Sequence, residues 1–291
     1  MRSIKHDRSD IVFHVFNYTF MAIIFMLMVT PFIHIISYSL SDASQIKPGV
    51  MWFPRGLNVE SYKIMLKDPK IYHGLFISVA RTVLGAGFMV IVTSMAAYVL
   101  SRKDVIGIKF IRRFFVITMY FSSGLIPTFL LIKTLGFTNS FWVYIIPSAA
   151  NVFNMILVKT YIEGLPFELE EAASIDGASD YVRFFKVVLP LCVPVIATVA
   201  LFSGLTQWNS FIDTQFYNAM SPELFPLQYV LFNAMQTITS VDAYRNLVEV
   251  PLTPQSLKMA ITVLTILPIL LVYPFVQKYF MKGLLLGAIK A

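Results

Sequence analysis

The residues best placed to do specific work are acids crowded into one stretch. Six of the 16 acidic residues fall within residues 163–180: Glu163, Glu168, Glu170, Glu171, Asp176 and Asp180. Hydrolytic chemistry would need paired carboxylates facing a cleft or an activated nucleophile, and neither pattern is present. The four histidines, His6, His14, His34 and His73, are too dispersed to suggest a metal site. The single cysteine, Cys192, has no internal disulfide partner and reads as a small buried hydrophobe. No GxxxxGK[ST] loop exists to cradle a nucleotide phosphate. Gly85-Ala86-Gly87 lies inside an apolar run and reads as helix-packing glycine.

The acidic stretch is better described by helix physics. Pro166 can open a helix, because its fixed φ and missing N–H suit a first turn. Glu168, Glu170 and Glu171 then complement the positive end of the helix. Leu169, Ala172, Ala173 and Asp176 share one face, and the two alanines allow close approach to a partner. Gly177 permits the left-handed turn that would end this helix. Tyr181, Phe184 and Phe185 form an aromatic block ahead of Leu189-Pro190. Taken singly, these residues leave two readings open: a solvated acidic loop, or a short docking helix.

The elements that must hold this loop are membrane spans. The chain has 291 residues, of which 57% are hydrophobic and 13% charged. Soluble domains carry about 45–50% apolar and about 25% charged residues, so one aqueous core cannot absorb this much apolar surface. A soluble enzyme and a disordered chain are both excluded, leaving an integral membrane protein. The net charge of +7 does not mark a nucleic-acid binder, because the basic residues are scattered between apolar runs. Six stretches lack Asp, Glu, Lys and Arg: 11–41, 82–101, 114–132, 134–158, 187–212 and 259–277. A bilayer core of about 30 Å needs ~20 apolar helical residues, so six spans are expected, near 15–39, 74–101, 114–132, 140–160, 188–210 and 259–279. Residues 1–10 would be a cytoplasmic N-terminus, 11–291 one transmembrane domain, and 163–187 a loop between the fourth and fifth spans. Residues 224–241 are uncharged but carry Gln228, Asn233 and Gln236 among other polar groups, and suit an interfacial segment.

Loop charge sets the orientation. Fourteen Lys and Arg lie on the side holding both termini and the 102–113 loop, against eight on the other side. That bias puts both termini in the cytoplasm. The first span is too long for a cleavable signal peptide, and no small-x-small site follows it. No span contains Asp or Glu, the usual relays of ion-driven carriers. Energy for uphill transport would therefore come from another chain.

The order of residues in the acidic loop adds a specific signal. Glu171-Ala172-Ala173, three residues, Gly177, nine residues, then Val187-Val188-Leu189-Pro190 resembles the EAA motif of ABC-importer permeases, with Val187 in place of the usual Ile. Ser122-Ser123-Gly124-Leu125-Ile126-Pro127-Thr128, Phe141-Trp142 through Pro147, and the C-terminal Tyr273-Pro274-Phe275 and Lys282-Gly283 are similar to MalG-type permeases of carbohydrate-uptake ABC transporters. The chain resembles the LplC/YtcP-like branch of that group over most of its length beyond the first span. The resemblance implies an all-α, six-helix MetI/MalG-like permease in a bacterial cell membrane. It implies a second, non-identical permease, two copies of a cytoplasmic ATPase that bind ATP and Mg2+, an extracellular solute-binding protein and an oligosaccharide substrate. No cofactor belongs to this chain itself. Glu171, Ala172, Ala173, Asp176, Gly177 and Phe184 would couple to the ATPase.

Sugars are gripped by aromatic faces and by amide and hydroxyl hydrogen bonds. Asn151, Asn154, Gln207, Trp208 and Asn209 are the candidates for the substrate pathway. The alternative is that these amides bridge helices and Trp208 sits in the interfacial belt. Other functions to weigh are an importer permease for a non-sugar solute and an ATPase-independent six-span channel or carrier.

Overall fold

The computed structural model describes residues 8–238 and 253–288, and within these regular structure is helical. Helices α1 (Arg8–Ser39), α2 (Glu60–Lys67) and α3 (Pro69–Ser101) come first. They are followed by α4 (Ile108–Thr118), α5 (Leu125–Thr134), α6 (Val152–Ile162) and α7 (Glu168–Ile175). Next come α8 (Asp180–Val182), a π-helical turn (Arg183–Val188) and α9 (Leu189–Leu191). The chain ends with α10 (Val193–Asn209), α11 (Ile212–Tyr217), α12 (Leu227–Thr237) and α13 (Pro254–Ala288).

Among the described residues, three helical stretches are long and apolar enough to cross a bilayer: Asp10–Ser39, Pro69–Ser101 and Pro254–Pro274. At 1.5 Å per residue, a 33-residue helix such as α3 reaches about 50 Å. It starts on Pro69, whose missing N–H costs nothing at a first position. A fourth candidate is bent: Asp180–Leu191 and Val193–Asn209 meet at 81° around Cys192, where Pro190 and Pro194 both remove backbone donors.

The regions expected as third and fourth spans differ from continuous helices. Residues 114–132 contain the end of α4 and most of α5, broken between them around Gly124, which adopts φ 81° and ψ −179°. Only glycine enters that conformation without strain. Local hydroxyls satisfy the interrupted backbone: Ser122 Oγ accepts from Gly124 N at 3.3 Å, and Thr128 Oγ1 donates to Gly124 O at 2.7 Å. Residues 140–160 begin with a 3-10 turn, Phe141–Tyr144, and become α-helical only from Val152. Ten- or eleven-residue helices reach about 15–17 Å, half of a hydrocarbon core. Hydropathy counts apolar side chains and is blind to such breaks.

Two compact units divide the chain. One draws on residues 1–68 and 233–267. In it, Ser39 Oγ and Tyr62 Oη hydrogen-bond at 2.6 Å, and His34 Nδ1 accepts from Met51 N at 3.1 Å. The start of α13 is capped reciprocally, Thr253 and Ser256 each accepting from the other's backbone N–H at 3.1–3.2 Å.

The other unit draws on residues 69–232 and 268–291. Its centre is α3, packed against α6 and α10. Met89, Ala97, Met155, Val158, Val188, Cys192 and Val199 form its core. A second cluster joins Ile77, Ile132, Val143, Tyr144 and Ile145. Gly85 sits where α3 meets α10: a Cβ there would lie 2.7 Å from Gln207 Nε2, so the helix-packing reading of this glycine has a concrete cause.

Candidate functional site

The acidic loop folds as a helix, a glycine turn and a second helical segment. Helix α7 carries Glu168, Glu170 and Glu171 in its first turn. It ends in a Schellman arrangement: Gly177 N donates to Ser174 O and Ala178 N donates to Ala173 O, both at 3.0 Å. Gly177 takes φ 77°, the left-handed value its position required. Ser179 then caps the next segment, its Oγ accepting from Val182 N at 3.5 Å. The π-helical turn Arg183–Val188 joins this loop to Leu189. Such wide turns recur at functional sites in helical proteins.

What holds α7 in place is charge. Arg102, just beyond the end of α3, contacts Glu170 Oε2 at 2.6 Å and Asp180 Oδ1 at 3.7 Å. Its guanidinium lies 4.7 Å over the Tyr98 ring and donates to the Tyr98 hydroxyl. Arg112 on α4 donates to Leu100 O at 2.7 Å and Arg102 O at 2.9 Å, and pairs with Glu163 at 3.5 Å. Lys159 also pairs with Glu163, at 2.7 Å. Arg183 pairs with Asp180. Three of the six acids, Glu163, Glu170 and Asp180, thus answer basic residues, and 102–112 supplies two of the partners.

The remaining surface of the loop is open. Glu171, Ala172, Asp176 and Gly177 are exposed and Ala173 is partly exposed. Beside them stand large apolar side chains with little cover: Phe167 is 66% and Ile175 81% exposed. Phe184 is placed differently from the other candidates. It is 5% exposed, with its ring 5.1 Å from Tyr98 and 4.8 Å from Phe185. It therefore joins the loop to the core of its own chain.

The polar candidates nearer the other end of α10 separate into two kinds. Gln207 is 4% exposed and has all four hydrogen-bonding positions used. Its Oε1 accepts from Arg81 Nε at 3.1 Å and Nη2 at 3.0 Å. Its Nε2 donates to Tyr144 O at 2.8 Å and Ser148 Oγ at 2.7 Å. Helix bridging, the alternative reading of these amides, describes Gln207. Asn154 is buried, with its Nδ2 3.8 Å from Met89 Sδ. Trp208 is 7% exposed and lines an apolar recess of about 530 Å³ with Ala86, Ala200, Gly204, Val272 and Tyr273. Asn151 and Asn209 are exposed: Asn151 caps α6 through Oδ1 alone, and Asn209 Nδ2 donates to Leu205 O at 2.9 Å. The five residues do not form one constellation.

Sequence reading missed the centre of that cluster. Arg81 lies in the first half of α3, 1% exposed, and contacts Asp213 on α11 with two nitrogens. It also donates to Ser210 O at 3.3 Å and lies 4.2 Å over the Tyr144 ring. Tyr144 Oη in turn meets Thr214 Oγ1 at 3.0 Å and donates to Leu224 O at 2.8 Å. A charge inside an apolar run was the available signal. Its partner lies 132 positions away, which spacing alone cannot reveal.

The class of protein to which this chain of long apolar helices belongs is the permease of an ABC importer. Residues 94–285 match the family described as binding-protein-dependent transport system inner membrane component, and the chain belongs to that family. It is similar to the polygalacturonan/rhamnogalacturonan transport system permease protein YtcP of Bacillus subtilis (strain 168), with 38% identity over 96% of this chain and 98% of that one. Protein LplC of the same organism is 35% identical over 100% of this chain and 99% of that one. Among solved structures, a chain from a bacterial ABC transporter involved in the import of the acidic polysaccharide alginate superposes with a TM-score of 0.88. It is 30% identical, and the match covers 96% of this chain and 100% of that chain. The protein is thus a transporter permease subunit with the ABC importer permease fold.

Proposed function

We propose that this chain forms half of the translocation pathway of an ATP-driven oligosaccharide importer in a bacterial cell membrane. The observation that carries the reading is α7: a short helix with paired alanines whose Phe167 and Ile175 stand uncovered while ion pairs fasten its other side. Burying such side chains is worth about 1.5–3 kcal/mol each, enough to seat a helix in a groove. The groove belongs to a cytoplasmic ATPase present in two copies, which binds ATP and Mg2+. A second, non-identical permease completes the pathway, and an extracellular binding protein delivers the oligosaccharide. Both termini and α7 lie on the cytoplasmic side. Closure of the ATPases rocks the permeases between outward- and inward-facing states. Of the five candidates, Asn151 and Asn209 are the exposed ones, able to offer amide groups to sugar hydroxyls, and Gln207 and Trp208 hold the surrounding helices.

The test is reconstitution of both permeases and the ATPase in proteoliposomes with the loaded binding protein. Uptake of the oligosaccharide should require ATP and every component, and this chain alone should show no saturable nucleotide binding. Uptake without the ATPase, or stoichiometric ATP binding by this chain alone, would overturn the reading.

A further inference from the structure

The C-terminal end of α3 and both arms of the α7 loop converge on a single guanidinium. Glu170 precedes the Gly177 turn and Asp180 follows it, and Arg102 reaches both, at 2.6 and 3.7 Å. The Arg102 and Glu170 side chains are only 16% and 15% exposed. Glu170 Oε2 makes no aligned hydrogen bond, so the Arg102 charge compensates it directly. Partial burial makes such a pair costlier to break than an exposed one. Arg102 is itself held, through its backbone carbonyl by Arg112 at 2.9 Å and through its side chain by Tyr98. A separate apolar contact, Tyr98 against Phe184 at 5.1 Å, joins α3 to the π-helical turn and does not depend on the charges.

We propose that Arg102 is a positioning residue that straps α7 to the end of α3, so that displacement of α7 moves the helix instead of being absorbed by the Gly177 turn. The inference rests on α7 being the ATPase-docking helix. Without the strap the loop keeps its docking face, because Phe167, Ala172 and Ile175 take no part in the ion pairs. It then remains attached to its core by the Glu163 ion pairs ahead of α7 and by Phe184 beyond it, neither of which restrains α7 itself. The ATPase should stay bound while its cycle loses contact with the membrane helices.

The experiment uses the complete importer in proteoliposomes. It compares the parent with Arg102→Gln, Glu170→Gln, the two combined, Arg102→Lys, and Ala173→Leu on the docking face. The first two should retain the ATPase at parental stoichiometry. Their stimulation of hydrolysis by loaded binding protein, and their uptake, should fall roughly tenfold, between the effect of losing an exposed pair and that of breaking a fully buried one. The combined variant should be no worse than the worse single one, as expected when two residues act through each other. Arg102→Lys should recover most of the loss, since it keeps the charge. Variants that lower thermal stability yet keep parental stimulation would overturn the strap, and so would additive losses in the combined variant. Ala173→Leu separates the two claims: if it sheds no ATPase and leaves hydrolysis responsive, the docking reading fails, whatever Arg102 does.

Discussion

Removing Asp213 should harm this protein more than removing Arg81, although they are the two halves of one ion pair. Arg81 is 1% exposed, whereas the Asp213 side chain is 22% exposed. Asp213→Ala leaves a buried guanidinium with only Gln207 Oε1, Ser210 O and the Tyr144 face. A charge stranded in this way costs about 3–5 kcal/mol. Arg81→Met leaves Asp213 able to find water, and the main orphan is Gln207 Oε1, at about 1–3 kcal/mol. At roughly 2–4 °C per kcal/mol for a chain of this size, Asp213→Ala should lower the unfolding midpoint by about 6–20 °C. The protein carries its own reporter: Cys192 is the single cysteine and is 1% exposed. A thiol-reactive fluorophore in detergent will therefore brighten only as the core opens. A larger drop for Arg81→Met than for Asp213→Ala, or no drop for either, would refute the reasoning.

Gly177→Val should insert normally in the membrane yet abolish uptake. At φ 77°, with nothing within 4 Å of a built Cβ, the cost is backbone strain of about 1–3 kcal/mol, read by uptake against membrane abundance. Gly85→Val should disturb the Arg81 cluster, because its first carbon would lie 2.7 Å from Gln207 Nε2. Overpacking of this kind costs about 1–3 kcal/mol, measurable by the same Cys192 assay. In a background lacking Cys192, cysteines placed within 102–112 should label only from the cytoplasm and one at Lys63 only from outside. Labelling of both from one side would contradict the orientation.

The loop was legible because its signals are local. Pro166, the first-turn acids, the paired alanines and Gly177 each specify backbone geometry within a few residues, and α7 and its glycine turn lie where those signals put them. The long apolar helices were legible from hydropathy. The interrupted regions were harder, since the break at Gly124 depends on one backbone conformation within an uncharged run. Ser122-Ser123-Gly124 carried that signal in its hydroxyls and glycine. The burial of Phe184 was not legible, because an aromatic beside an acidic helix has no marker for which way it faces. Its burial follows from Tyr98, on a different helix. The basic residues of 102–113 were read as an orientation signal, while Arg102 and Arg112 also serve as partners of Glu170 and Glu163. Such pairings belong to tertiary structure.

The central claim is that α7 is the surface on which an ATPase acts. Ile175, 81% exposed on that helix, offers the most direct measurement. With Cys192→Ala as background, Ile175→Cys is labelled with a thiol-directed photo-crosslinker and the assembled importer is illuminated. Leu130→Cys, at a 55% exposed position on α5, is treated alike. The account predicts an adduct of this chain with the ATPase from position 175 and none from position 130. No ATPase adduct from position 175, or equal adducts from both, would contradict it.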